Sequence, residues 1–270
     1  MTRYTLDDLL HLMACLRDPV RGCPWDMAQD FQDIVPFTLE EAYEVADAIE
    51  RDDLQALPGE LGDLLFQTVF YAQIAKDRDL FCFEDVVHQI TAKLLSRHPH
   101  VFPDGTLQSF GQAAEQSVDS VKDNWEKTKA EERALRGQLG LFDDVPRVLP
   151  ATTRAHKIQK RAARIGFDWP DIQGVLDKVS EESRELQEAL TAADSAAVRE
   201  EFGDLLFTMI SLGRHLGVDS EQVLREATQK FESRMLQVIS IADAEGIALS
   251  EASDTVKEGL WDRAKTRRSE

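Results

Sequence analysis

The chain reads GELGDLLF over residues 59–66 and EEFGDLLF over residues 200–207. Placing Glu40 on Glu181 sets an offset of 141 residues, and the window that follows needs no gap. Glu41 then meets Glu182, Glu44 meets Glu185, Glu60 meets Glu201 and Asp63 meets Asp204. The match continues at slightly smaller offsets, with KLLSR at 93–97 resembling KFESR at 230–234 and WEKTK at 125–129 resembling WDRAK at 261–265. Shrinking offsets mean shorter loops with the same order of elements, so the chain is an internal duplication. The first copy is expected over 1–135 and the second over 151–270. The stretch 136–150, with two glycines and two prolines, reads as the linker.

In the first phrase and just beyond it, Leu61, Leu64, Leu65, Thr68 and Val69 recur at i, i+3, i+4, i+7 and i+8, the period of a helix face. The same pattern predicts helices over 5–17, 36–51, 59–77, 83–97 and 113–133 in the first copy. In the second it predicts them over 151–163, 172–191, 195–216, 220–244 and 251–265. Pro58-Gly59 reads as the turn between two antiparallel helices. No segment alternates as a strand does. The fold class is all-α, two tandem duplicated bundles of four or five helices each.

A net charge of −19 makes the chain repel nucleic acid and anionic membranes, so an anionic substrate requires a cation or a local basic patch. Three scattered cysteines form no zinc or redox spacing and imply no disulfide framework. The first residues are acidic and amphipathic rather than a signal peptide. The most apolar run, 64–75, is too short and too polar to span a bilayer. The expected location is the cytoplasm.

Each copy carries Glu-Glu-x-x-Glu, then Glu-x-x-Asp. Spacings of three residues put Glu41 with Glu44, and Glu60 with Asp63, on shared helix faces. A helical hairpin then brings four carboxylates together, and Glu182, Glu185, Glu201 and Asp204 repeat the arrangement. Clustered carboxylates repel unless a cation lies among them, and oxygen-only donors suit Mg²⁺ or Mn²⁺. Acidic helix positions are ordinarily a solvated face. Here, however, Glu50 has drifted to Thr191 and Asp52 to Ala193, while the residues at metal-ligand spacing stayed. Lys93/Arg97 and Lys230/Arg234 are i, i+4 pairs, ordinarily surface salt-bridging residues. In so acidic a chain their retention points to a polyphosphate.

Both copies resemble the MazG nucleoside triphosphate pyrophosphohydrolases of the all-α NTP pyrophosphatase superfamily, in the two-domain bacterial form. Copy one carries CPWD at 23–26, TLEE at 38–41, GELGD at 59–63 and RHPHVF at 97–102. Copy two carries KIQKR at 157–161, GFDW at 166–169 and EEFGD at 200–204. The resemblance implies Mg²⁺-dependent cleavage of NTPs and dNTPs to monophosphate and pyrophosphate, and a homodimer. It implies that Glu182, Glu185, Glu201 and Asp204 hold the metal, with Glu181 and Glu200 as supporting acids. Lys129, Lys230, Arg234, Trp261 and Lys265 match positions that hold the triphosphate or shape the site. Lys129, at the end of copy one, would reach a site in the other half or the other subunit.

The copies are unequal. Copy one has Gly59 where copy two has Glu200, and Phe37 where copy two has Lys178. The expectation is that copy two is the main catalyst, while copy one, with Glu41, Glu44, Glu60 and Asp63, is regulatory, structural or weakly active. The reaction expected is attack of water on a phosphorus of the α–β linkage. Glu181 or Glu182 would orient or deprotonate the water, and Lys230, Arg234 and Lys265 would stabilise the leaving pyrophosphate. Which phosphorus is attacked, and how many metal ions take part, stay open. There is no GxxxxGK[ST] loop and no Glu-x-x-His, which argues against a P-loop enzyme and a di-iron bundle. Two rival readings are a house-cleaning enzyme for modified nucleotides and a non-enzymatic acidic scaffold for a basic partner. His98, His100 and the 102–105 stretch read as turns, and Cys23 as structural.

Overall fold

The fold is seen in a computed structural model that describes residues 3–111 and 140–266. The chain divides into two compact units, Met1–Glu132 and Arg133–Glu270. Among the described residues the regular structure is helical throughout and no strand occurs. No described helix is long and apolar enough to cross a membrane.

The first unit holds α1 (Leu6–Leu16), α2 (Pro24–Ala28), α3 (Phe31–Glu50), α4 (Leu57–Asp77) and α5 (Phe83–Arg97). Thr5 and Asp8 start α1 by reciprocal side-chain to backbone hydrogen bonds, and Asp30 and Asp33 start α3 in the same way. This box moves the start of α3 to residue 31, ahead of the predicted 36. Pro36 lies inside the helix and leaves one ladder bond unmade. Pro58-Gly59 is likewise not the turn. It occupies the first turn of α4, where the missing proline N–H has no helical partner to lose. The connection turns at Asp52, which has φ 56°.

Helix α4 packs on α1, α3 and α5. The core gathers Met13, Ile34, Val69, Phe70 and Ile74. Each fully buried side chain of this size contributes roughly 1.5–3 kcal/mol. The predicted stripe on α4 is only partly inward: Val69 is buried, but Leu61 and Leu65 are 49% and 41% exposed.

The second unit holds α6 (Ala151–Arg164), α7 (Ile172–Thr191), α8 (Ser195–His215), α9 (Ser220–Ala244) and α10 (Asp254–Thr266). Aspartates 171, 194 and 219 cap α7, α8 and α9. The α7–α8 pair repeats α3–α4 down to the backbone. Ala193, the counterpart of Asp52, has φ 53°, and Asp194 N donates to Ala189 O as Asp53 N does to Ala48 O. Helix α9 packs on α6, α8 and α10 around Val238, Ile241, Ala242, Leu260 and Ala264. Residues 140–150 are turns and bends. The predicted helix over 113–133 lies outside the described residues, as does the start of the expected linker.

Candidate active site

The α7–α8 pair sets the carboxylates of the second unit. One oxygen each of Glu182, Glu201 and Asp204 lies within 4.8 Å of the others. Glu182 is only 3% exposed, an unusual place for an acid. Its charge is met by Lys178 one turn earlier, whose Nζ stands 2.8 Å from Glu182 Oε1 and 3.0 Å from Glu181 Oε1. These hydrogen bonds to Glu182 and Glu181 raise the Lys178 pKa above its usual value. Glu201 also has a raised pKa, through burial first and then the charges of Glu185, Glu182, Glu200 and Asp204. Glu185 and Glu200 therefore belong to the same acidic neighbourhood without sharing the three-oxygen cluster. Three converging carboxylate oxygens are hard donors, and the cluster can hold a metal ion of that class.

The first unit forms the matching cluster from Glu41, Glu60 and Asp63, again within 4.8 Å. Its neutralisation differs. Buried Gln67 offers Nε2 at 3.4 Å to Glu41 Oε1. Phe37, in Lys178's position, meets Trp25 edge-on at 6.0 Å. Burial, then the charges of Asp63 and Glu44, raise the Glu41 pKa.

The basic residues lie on α9 and α10. The Arg234 guanidinium is 5.9 Å from the centre of the Trp261 ring, and Phe231 meets the same ring at 5.4 Å. Lys230 is exposed one turn before Arg234. Lys265 Nζ bonds Asp262 of its own helix at 2.8 Å. Lys129 and Trp125 lie outside the described residues. His98 and His100 sit in the turn after α5, where Val101 N and Phe102 N both donate to His98 O. Gly105 closes the next turn at φ 74°.

Sequence reasoning gave no role to Asp168, yet it joins distant elements. It accepts from Arg214 Nη1 at 2.7 Å and Nη2 at 2.5 Å, and lies 3.1 Å from His215 Nε2. The only signal was the GFDW string that holds it.

The MazG nucleotide pyrophosphohydrolase domain matches this chain twice, over residues 29–102 and 171–239. These stretches contain both α3–α4 and α7–α8 hairpins and every carboxylate of the two clusters. The chain is 48% identical over 262 residues to the nucleoside triphosphate pyrophosphohydrolase of Escherichia coli (strain K12), covering 96% of this chain and 97% of that one. It is 38% identical over 259 residues to the nucleoside triphosphate pyrophosphohydrolase/pyrophosphatase MazG of Thermotoga maritima, covering 96% and 95%. Identity to the uncharacterized protein YabN of Bacillus subtilis is 37% over 251 residues, 93% of this chain but 49% of that one. With the domain present twice and near-complete relatives on either side, the chain belongs to the MazG family of nucleotide pyrophosphohydrolases.

Proposed function

We propose that this chain hydrolyses nucleoside triphosphates, ribo and deoxy, to the monophosphate and pyrophosphate, mainly in its second copy. The observation that carries the reading is the three-carboxylate cluster of Glu182, Glu201 and Asp204, with Glu182 buried, in a chain of this family. The E. coli and T. maritima relatives carry the activity in their names. The metal is Mg²⁺, with Mn²⁺ as a substitute, held by Glu182, Glu185, Glu201 and Asp204. When bound, such an ion neutralises phosphate charge and makes water more acidic. Glu181 or Glu182 orients the attacking water or accepts its proton, with Glu200 as a supporting acid. Lys230, Arg234, Lys265 and Lys129 balance charge on the triphosphate and the departing pyrophosphate, and Trp261 fixes Arg234.

The two copies, 1–135 and 151–270, are joined by the linker 136–150. The first copy keeps Glu41, Glu44, Glu60 and Asp63 but has Phe37 and Gly59 where the second has Lys178 and Glu200. We assign it a regulatory, structural or weakly active role. The protein acts as a homodimer, a reading supported by apolar side chains exposed at matched positions of both copies. Three free cysteines and a charge of −19 fit a reducing cytoplasm and no nucleic-acid partner.

Phosphorus NMR of the products from an NTP and dNTP mixture with Mg²⁺ tests the reaction. Monophosphate and pyrophosphate are expected; orthophosphate and diphosphates would refute the assigned bond. Asp204→Asn should lower kcat at least a hundredfold and Asp63→Asn less than fivefold, since removing one key electrostatic group costs on the order of 10²–10³ in kcat. Equal losses would refute the division of labour.

A further inference from the structure

The α7–α8 hairpin that carries Glu182, Glu201 and Asp204 is closed by the chain at one end only. There Ala193 turns at φ 53°, Asp194 caps α8 and Asp194 N donates to Ala189 O, which fixes the two helices against each other. At the other end α7 begins at Ile172 and α8 finishes at His215, two stretches far apart in sequence. The carboxylates lie between these ends. Glu182 is ten residues past Ile172, and Asp204 is ten past Asp194 and ten short of Arg214. The helical rise puts the cluster about 15 Å from either end. Hinged at its closed end, a hairpin that opens by about 1 Å at the other parts at its middle by about 0.5 Å, the tolerance within which a working constellation must be held.

Asp168 ties the open end. It accepts from both Nη1 and Nη2 of Arg214 and lies 3.1 Å from His215 Nε2, so one carboxylate of the α6–α7 connection grips the last residues of α8. The connection is in turn fixed to α7. Asp171 caps that helix, and Trp169 lies so close to it that a Cβ on Gly174 would stand 2.9 Å from Trp169 Cδ1. The first copy ties the same end with other residues. At the offset of 141, Asp168, Arg214 and His215 fall on Met27, Gln73 and Ile74, which cannot form the ion pair. Instead Arg17 reaches in from α1. It donates Nε to Asp77 Oδ2, at the end of α4, at 2.6 Å, and Nη1 to Asp26 O and Gln29 O just ahead of α3. Both carboxylate-bearing hairpins are thus held at the open end by an arginine and an aspartate. The residues that make the tie differ between the copies, and the tie itself is present in both.

We infer, resting on the metal-site reading given above, that Asp168 is a positioning residue for the carboxylate cluster. Its grip on Arg214 and His215 holds α7 at the separation from α8 that brings Glu182 to Glu201 and Asp204, and so sets the affinity of the site for its ion. Asp168 does this without touching ion or substrate.

Binding of Mn²⁺, followed by the loss of its free EPR signal, reads the site without turnover. The full chain carrying Asp63→Asn is the reference, because the first-copy cluster is then disabled. In that background Asp168→Asn should raise the Mn²⁺ Kd about tenfold, less than the roughly hundredfold that a misplacement of about 1 Å at the site itself costs. Asp168→Glu keeps the carboxylate and should restore most of the affinity. Arg214→Lys loses the two-pronged contact from the other side. It should weaken binding by a similar factor, with no further loss when combined with Asp168→Asn, since both act through one contact. Glu245→Gln makes the same acid-to-amide change in another arginine pair of the second unit, that with Arg263, and should leave the Kd within about twofold. Unchanged affinity in Asp168→Asn and Arg214→Lys, or an equal loss in Glu245→Gln, would reduce the tie to a general contribution to stability and overturn the assignment. If the Asp63→Asn chain itself binds no Mn²⁺, the metal-site reading fails and the positioning role falls with it. If Mn²⁺ binds equally with and without the tie, the positioning role fails alone.

Discussion

Lys178 is one ammonium shared between Glu181 at 3.0 Å and Glu182 at 2.8 Å, and Glu182 is the most buried acid of the cluster. Removing one partner of a buried pair leaves the other charge uncompensated, at a cost of about 3–5 kcal/mol in full burial. Lys178 is one-third exposed, so solvent screening reduces this, and Lys178→Met should destabilise the chain by about 1–2 kcal/mol. The Mg²⁺ proposed for this cluster would take over the neutralisation. A ligand that binds only the native state at a hundredfold its Kd stabilises by about 2.7 kcal/mol. Thermal unfolding with and without MgCl₂ should therefore show a larger gain in Lys178→Met than in wild type. Equal gains would mean that Lys178 and the ion act on different carboxylates. The replacement of this lysine by Phe37 in the first copy was legible from aligned sequence. The lysine's two partners, and Gln67 as the first copy's own donor to Glu41, became visible only with coordinates.

At the scale of elements, the helical period located most of the described helices, because apolar spacing is a local property of the chain. The misplaced boundaries have a common cause. Pro36 and Pro58 were read as breaks, while the Asp30/Asp33 box and the tolerance of a first helical turn for proline decided where α3 and α4 begin. Helix α2 was missed because five residues carry too little periodicity. The clasp between the α6–α7 connection and the end of α8 was illegible for another reason. Asp168 and Arg214 are 46 residues apart, and no local pattern joins them. That clasp titrates. The Arg214 hydrogen bonds, then that of His215, hold the Asp168 pKa at about 2, below the ordinary value of 3.8. A depressed carboxylate stabilises fully above its unfolded pKa and loses that stabilisation as pH falls through the folded value. After discounting for partial exposure, the contribution is about 1 kcal/mol above pH 5, fading between roughly pH 4 and 2. Urea unfolding of wild type and Asp168→Asn should differ at about pH 6 and converge as pH falls to about 2. A gap unchanged by pH would assign the effect to packing.

At the scale of the whole molecule, duplication made the two-unit organisation legible, since matched residues at a constant offset need no structure to be seen. It did not show which apolar positions face inward. Leu61 and Leu65 on α4 are exposed, and their counterparts Phe202 and Leu206 on α8 are 51% and 50% exposed. Solvation alone gives no reason to keep large apolar side chains at such positions in both copies, and grouped exposed apolar surface marks an interaction face. Covering side chains of this size is worth up to about 1.5–3 kcal/mol each, enough together to drive self-association. Leu206→Glu places a charge on that face without disturbing a buried core residue. Each 1.4 kcal/mol is a tenfold change in affinity, so its dimer dissociation constant should rise at least about tenfold. Leu54→Glu, at a site 64% exposed in the turn before α4, serves as the control and should leave association as in wild type. Sedimentation equilibrium over a range of protein concentrations reads both. A wild-type chain that stays monomeric at tens of micromolar, or a Leu206→Glu variant that associates as tightly, would remove these faces as the dimer contact. The matched apolar positions would then need another explanation.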